Sequence, residues 1–252
     1  MVEIKTPEEI GIMTEGGKIL TNIMKELGKK VKPGIAAKDL ETLAERLISG
    51  SGAKPSFKGY QGYPACLCVS INEQVVHGLP DNRVIKQGDL VSLDLGIFYK
   101  GFHTDMARTF AVGKVSSLAK KLLKVTRKAL EIGKKQAKPG NKIKDISLAI
   151  QNYVEKNGFN VIRELCGHGI GKNIHEDPQI LNFTGEDFGG DEEIVLKPGM
   201  TLCLEPMVSA GRWKLKKSKD GFGYETQDGS LTCHFEQTIA IAQSGCYALT
   251  KF

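Results

Sequence analysis

The chain repeats itself. Lys32-Pro33-Gly34 separates two helical patterns, and Lys138-Pro139-Gly140 separates two more at an offset of 106 residues (139 minus 33). The extended segments repeat as well. Ile85-Lys-Gln-Gly-Asp-Leu-Val-Ser-Leu-Asp94 parallels Leu196-Lys-Pro-Gly-Met-Thr-Leu-Cys-Leu-Glu205 at an offset of 111 residues (205 minus 94), and an acid ends each copy. Solenoid repeats run to roughly 20–50 residues, so this period is too long for one. It implies two homologous halves, approximately 1–113 and 114–252, packed face to face and each donating carboxylates to a shared centre. No Pro- or Ser-rich linker parts them, so one continuous α+β domain is expected.

Within each half the elements are legible. Thr6, Pro7 and Glu9 form a capping box with proline in the first turn. Ile10, Met13, Leu20, Met24 and Leu27 then mark one apolar helical face. A second helix carries Leu40, Leu43, Leu47 and Ile48; a third carries Leu118, Leu122, Val125 and Ile132; a fourth carries Ile143, Ile146, Ile150 and Val154. Between the pairs, Leu90–Phe98 and Phe102–Val112 are rich in strand formers on either side of a Lys100-Gly101 turn signal.

Composition narrows the class. At 252 residues, with 40% hydrophobic and 25% charged residues, the chain reads as an ordinary soluble globular protein. The opening segment lacks the basic head and apolar run of a signal peptide, and no apolar stretch reaches membrane-spanning length. Six cysteines (66, 68, 166, 203, 233 and 246) form no CxxC pair and sit among apolar neighbours. That usage fits a reducing cytoplasm and argues against a structural zinc site. The net charge of +6 is concentrated between Lys114 and Lys144, where eleven Lys or Arg face a single acid, Glu131. A solvated helix face accounts for such a run; the sharper reading is a docking surface for an acidic partner such as ribosomal RNA.

Five residues carry the chemistry: Asp94, Asp105, His168, Glu205 and Glu236. The acids lie in apolar strand patterns, where an ionised carboxylate needs a neutralising partner, and no matching set of Lys or Arg accompanies them. If the hairpin turns at residues 99 and 100, positions summing to 199 face each other, and Asp94 and Asp105 would lie directly opposite. Like charges so placed repel unless a cation sits between them. His168 stands in Cys-Gly-His-Gly-Ile-Gly, whose glycines permit close approach but fit neither a dinucleotide fingerprint nor a P-loop. Glu205 precedes Pro206, which extends the backbone before it. An oxygen-rich set with one nitrogen suits Mn, Fe or Co better than a thiolate-rich zinc site would. His77 and His175, 98 residues apart (175 minus 77), echo the repeat and are further site candidates.

Together these motifs resemble the methionine aminopeptidases. The resemblance rests on Tyr-x-Gly-Tyr-Pro (60–64), Asn-Glu-x-x-x-His-Gly-x-Pro-Asp (72–81), Asp-Leu-Gly (94–96), Thr-Asp (104–105), Gly-His-Gly-Ile-Gly (167–171), Glu-Pro-Met (205–207) and Phe-Glu (235–236), in that order. It implies the pita-bread fold, two pseudo-symmetric halves with antiparallel sheets covered by helices. It also implies the type I subclass, since there is no room for a helical insert between Glu205 and Glu236 and no zinc-finger extension precedes the first half. The implied activity is removal of initiator methionine from nascent polypeptide N-termini, with a small second residue preferred.

Carried over by position, the resemblance implies two divalent ions, of Co, Mn, Fe or Zn. Asp94 would hold one, His168 and Glu205 the other, and Asp105 and Glu236 would bridge both. A water between the ions would attack the scissile carbonyl, Glu205 would take and pass its proton, His175 would stabilise the oxyanion and His77 would contact the scissile amide. Tyr60, Tyr63 and Cys68 would line the methionine pocket. The chain departs from the family pattern at Ile174, where Phe is common, and at Gln237, where His is common. The stretch 211–222 is long, and Trp213 and Phe222 compete for one pocket position; the acidic stretch 184–193 is also unusual. Two alternatives are a proline-directed relative, which would carry an extra N-terminal domain, and an inactive RNA-binding pita-bread protein, which would have lost ligands. The expectation is a cytoplasmic monomer.

Overall fold

Thr6 starts the first helix as its residue type suggests. Its hydroxyl accepts from the Glu9 amide at 3.2 Å and its own amide donates to the Glu9 carboxylate at 2.9 Å. A computed structural model describes residues 2–185 and 191–251. Helices α1 (Pro7–Lys30) and α2 (Ala37–Gly50) belong to the first half, and α3 (Ser117–Gln136) and α4 (Ile143–Lys156) to the second. Ile10, Met13, Leu20, Met24 and Leu27 are buried along α1, and Ile143, Ile146, Ile150 and Val154 along α4. Leu118 is a correction: it lies at the solvent-facing start of α3, 48% exposed, and Ala119, Leu122, Val125, Ala129 and Leu130 form the buried face instead.

Each helix pair covers an antiparallel sheet. In the first half, β1 (Leu67–Ile71), β2 (Leu90–Tyr99) and β3 (Phe102–Ala111) are joined by the short strand Lys54–Pro55, with β2 central. In the second, β4 (Cys166–Gly169), β5 (Glu176–Leu181), β6 (Thr201–Leu204), β7 (Gln237–Ala242) and β8 (Gly245–Ala248) pair in the order β8-β7-β6-β4-β5. The strands of Leu67–Ile71 and Leu90–Ile97 are buried throughout, because helices cover one face and the other half of the molecule faces the other. Among the described residues no helix is long and apolar enough to cross a membrane.

The β2–β3 hairpin differs from its sequence reading by one step in the turn. Tyr99 pairs with Phe102, so Lys100 and Gly101 alone make the loop, with φ of +46° and +95°. Two consecutive left-handed residues are what a tight hairpin turn requires, and they match the right-handed strand twist. Asp94 therefore faces Ala107, and Asp105 faces Gly96. The two aspartates are diagonal neighbours rather than a direct pair. They still share a face, because the register moves by two residues and side chains alternate with a period of two.

The halves meet along a seam of hydrogen bonds between β3 and the segment His234–Thr238. The Asp105 amide donates to the Thr238 hydroxyl at 2.9 Å, and that hydroxyl donates to the Asp105 carbonyl at 2.8 Å. The Glu236 amide donates to the Ala107 carbonyl at 2.9 Å. Thr109 is joined in both directions to the main chain of His234, each bond 2.9 Å. The Thr238 amide in turn donates to the Thr250 hydroxyl at 3.0 Å, which ties the C-terminal segment into the same seam. Helix α1 crosses that segment so closely that a Cβ on Gly17 would lie 2.2 Å from the Leu249 carbonyl oxygen. The seam sets Asp105 and Glu236 side by side.

Candidate metal centre

Four carboxylates and an imidazole converge where the two sheets face each other. Asp94 comes from β2, Asp105 from β3, His168 from β4, Glu205 from the residue after β6, and Glu236 from the residue before β7. One oxygen each of Asp94, Asp105 and Glu236 lie within 4.8 Å of one another, and His168, Cys203 and Glu236 meet the same limit. His168 Nε2 is 3.6 Å from Glu205 Oε1. All five residues expected from the sequence are thus brought together.

These residues fit a bound cation. Asp94 Oδ1, Asp105 Oδ1 and Glu236 Oε1 are buried without a hydrogen-bond partner, and no buried polar group of this kind is stable without compensation. The buried Lys5 does not serve them, since it is paired with Glu176. His168 donates its Nδ1 proton to the Gly169 carbonyl at 2.8 Å, which leaves a lone pair on Nε2 facing the acids.

Electrostatics agree. Burial first, then repulsion from Asp105, holds the Asp94 carboxyl well above the usual range. Burial raises Asp105 to about 7, and burial with neighbouring acids raises Glu205 and Glu236 well above theirs. Desolvation by the surrounding protein lowers His168 to about 3 and His77, on the cavity wall, to about 4, so both are neutral imidazoles at pH 7. A cation among the carboxylates would reverse the acid shifts and leave His168 free to ligate.

A cavity of about 770 Å³ opens from this cluster. Tyr63, Cys68 and Phe222 form its apolar end, with Tyr63 and Phe222 edge to face at 5.4 Å. The Tyr63 hydroxyl donates to the Leu67 and Gly78 carbonyls, which fixes its ring. At the rim, Tyr60 and His175 share a 2.8 Å hydrogen bond through the tyrosine oxygen and His175 Nδ1. His77 reaches the cavity from a left-handed backbone with φ of +57°, unusual for a residue with a side chain and held by the pairing of Gln74–Val76 with Tyr224–Thr226.

The profile of metallopeptidase family M24 matches residues 11–243. Methionine aminopeptidase 1 of Bacillus subtilis is 48% identical over 251 residues, covering 100% of both chains. The chain belongs to the methionine aminopeptidases of family M24. The crystal structure of the methionine aminopeptidase from Thermotoga maritima superposes with a TM-score of 0.96 at 46% identity, over 100% of both chains. The prolidase from Pyrococcus furiosus shares the fold, with a TM-score of 0.81 at 24% identity, over 99% of this chain and 65% of its own. The pita-bread fold expected from the sequence is the one found. As a methionine aminopeptidase of a metallopeptidase family, the chain is a metal-dependent hydrolase, and divalent ions are its cofactors.

The departures from the family pattern now have places. Phe222 lines the cavity, whereas Trp213 stacks under the Arg163 guanidinium at 5.4 Å and is not among the lining residues. Gln237 donates to the Thr250 carbonyl and accepts from Lys134, both at 2.8 Å, so it supports the C-terminal segment and α3. Ile174 is buried beside His175. Of the unusual acidic stretch, residues 186–190 lie outside the described residues. Sequence reasoning missed His234, which is buried with Nε2 3.6 Å from Glu205 Oε2. The signal was available, since His234 stands two residues before Glu236. It also missed Phe57, Met207 and Tyr224 in the cavity wall, residues that read as ordinary core.

Proposed function

We propose that this chain removes the initiator methionine from nascent polypeptides, favouring a small second residue, as a cytoplasmic monomer. One observation carries the reading. A cluster of three buried acids, the partly exposed Glu205 and a neutral imidazole sits against a cavity whose far end is apolar and closed by Tyr63, Cys68 and Phe222. An unbranched thioether suits that end, and the acids mark where the bond is cut. The single continuous unit would comprise the halves 1–113 and 114–252.

Asp94, Asp105, His168, Glu205 and Glu236 would hold two divalent ions, and these would supply Lewis acidity toward a carbonyl and lower the pKa of water. The protein's own groups do the rest. Glu205 takes the proton of the attacking water and passes it to the leaving amine. If the Tyr60 hydroxyl donates to His175 Nδ1, the imidazole proton stays on Nε2, where it serves as a donor to the developing oxyanion. His77, neutral at pH 7 and open to the cavity, contacts the scissile amide. Tyr60, Tyr63 and Cys68 bind the methionine side chain.

The test is release of free methionine from Met-Ala-Ser and Met-Leu-Ser by chelator-stripped protein with Mn, Fe, Co or Zn restored singly. Metal-dependent cleavage of Met-Ala-Ser, at least about tenfold faster than of Met-Leu-Ser, is expected, a difference of about 1.4 kcal/mol in the barrier. Cleavage only of a peptide with proline second would replace this reading with a proline-directed one.

The basic stretch 114–144 supports ribosome docking. Lys120, Lys124, Arg127, Lys128 and Lys135 lie exposed along α3, whereas Lys142 and Lys144 are engaged by Glu193. Reversing the charge of Lys120, Lys124 and Lys128 should weaken ribosome binding, and salt should weaken it in the parent protein. Cosedimentation that is insensitive to both would remove the docking role.

A further inference from the structure

Glu205 has two carboxylate oxygens, and each has an imidazole beside it. His168 Nε2 stands 3.6 Å from Oε1, and His234 Nε2 stands 3.6 Å from Oε2. His168 is already placed among the ligands; His234 is so far without a role. It is 1% exposed, and neither ring nitrogen has a hydrogen-bond partner among the described residues. A histidine kept only for packing would be expected to pair its polar atoms, because burying them unpaired is costly.

The backbones on both sides are held. His234 ends the strand Thr232–His234, faces Met207 across the pairing, and is joined to Thr109 through both its amide and its carbonyl. The Glu205 carbonyl accepts from the Asn182 side chain at 3.0 Å, and Pro206 follows it. Both side chains therefore extend from fixed anchors, and a small rotation of either closes the remaining distance to a hydrogen bond. Such contacts are often long until a site is engaged.

We infer that His234 is a positioning residue for Glu205, donating its Nε2 proton to Oε2 and so fixing the rotation of the carboxylate with Oε1 toward His168. A neutral imidazole has one proton to give, and on Nε2 it faces the Glu205 carboxylate oxygen 3.6 Å away. A ligand carboxylate held at one oxygen presents the other in a single orientation, and partners of this kind govern both metal affinity and turnover. The inference rests on Glu205 being a ligand.

Three substitutions at one position separate this role from packing. The amide nitrogen of Gln can occupy the place of Nε2, that of Asn the place of Nδ1, and Leu offers neither. Manganese binding to chelator-stripped protein is read by calorimetry, kcat and KM on Met-Ala-Ser, and Tm without metal. His234→Gln should stay within about threefold of the parent in manganese affinity and kcat, whereas His234→Asn and His234→Leu should lose about 10–100-fold in affinity. Their kcat should fall with KM little changed, and their metal-free Tm should stay level or rise. Parent-like affinity and kcat in His234→Leu would overturn the inference. So would equal losses in the Gln and Asn variants that track a lowered Tm, since that pattern is packing alone. Glu205→Gln separates the two readings. If it binds manganese like the parent, the ligand assignment fails; if it loses binding while His234→Leu keeps it, only the role of His234 fails.

Discussion

Asp105→Ala should abolish methionine release while leaving the protein folded. The carboxylate is one of three whose oxygens lie within 4.8 Å of one another, and its Oδ1 is buried without a partner. Removing it takes away an expected bridging ligand, and kcat/KM should fall by a thousandfold or more, on the order of 4 kcal/mol of transition-state stabilisation. The fold should survive because Asp105 contributes to the seam through its main chain. Its amide and carbonyl, not its carboxylate, are the groups bonded to Thr238. Alanine keeps both. Peptide assays with restored metal, alongside circular dichroism and urea unfolding of the stripped variant, check the two halves of this expectation. Near-parental activity in a folded Asp105→Ala protein would remove the bridging role.

The second large effect is in the pH dependence of stability. Stripped of metal, the protein should lose stability as pH rises from about 6.5 to 8, and saturating manganese should flatten or reverse the trend. Burial raises Asp105 to about 7 and keeps Asp94, Glu205 and Glu236 well above the ordinary range. In the unfolded chain the same groups ionise near 4, at the model-peptide values of about 3.9 and 4.3. The folded state thus binds more protons in this window, and stability falls as pH rises. Histidines act in the opposite sense lower down. His77 and His103 fall to about 4, and His168 and His234 to about 3, so they favour folding increasingly as pH rises toward the ordinary value of about 6.5. Above that they are neutral in both states. Above about 8.5 the unfolded thiols ionise while buried Cys66, Cys68, Cys203 and Cys233 stay protonated, which would add a second slope. Inside the window, each carboxyl that keeps its proton contributes a fall of about 1.4 kcal/mol per pH unit. Urea titrations at three pH values, with chelator and with manganese, measure it. A flat profile in chelator, or the same slope in manganese, would sink the argument.

Much of the site could be read before the fold was seen, for a physical reason. A carboxylate in an apolar strand is expensive, so Asp94, Glu205 and Glu236 stood out by being where acids rarely are. The capping box at Thr6 and the paired Lys-Pro-Gly breaks were legible because they are local. The hairpin register was not. It depended on whether Tyr99 or Lys100 would open the turn, and the left-handed backbone of Lys100 decides that through the twist of two whole strands. His234 escaped because its one local mark, a place two residues before Glu236, does not say which group it faces. Its meaning comes from Glu205 across the sheet, 29 residues earlier (234 minus 205). Phe222 and Trp213 could not be ranked for the same reason, since one loop carries both and only packing against Tyr63 selects between them.

Synthesis delivers the parts of the centre in a fixed order. Asp94 and Asp105 emerge with the first half, and Glu236 follows Asp94 by 142 residues (236 minus 94). Until the segment His234–Thr238 arrives, β3 has an open edge there, with the main-chain amide and carbonyl of Asp105 unpaired and its carboxylate without a second half to face. Domains fold as units, and contacts this distant in sequence form late. A growing chain of this protein therefore carries the acids of its active centre without the centre. On the activity proposed, an enzyme that trims proteins while they are being made is inert until its own making has reached the final sheet.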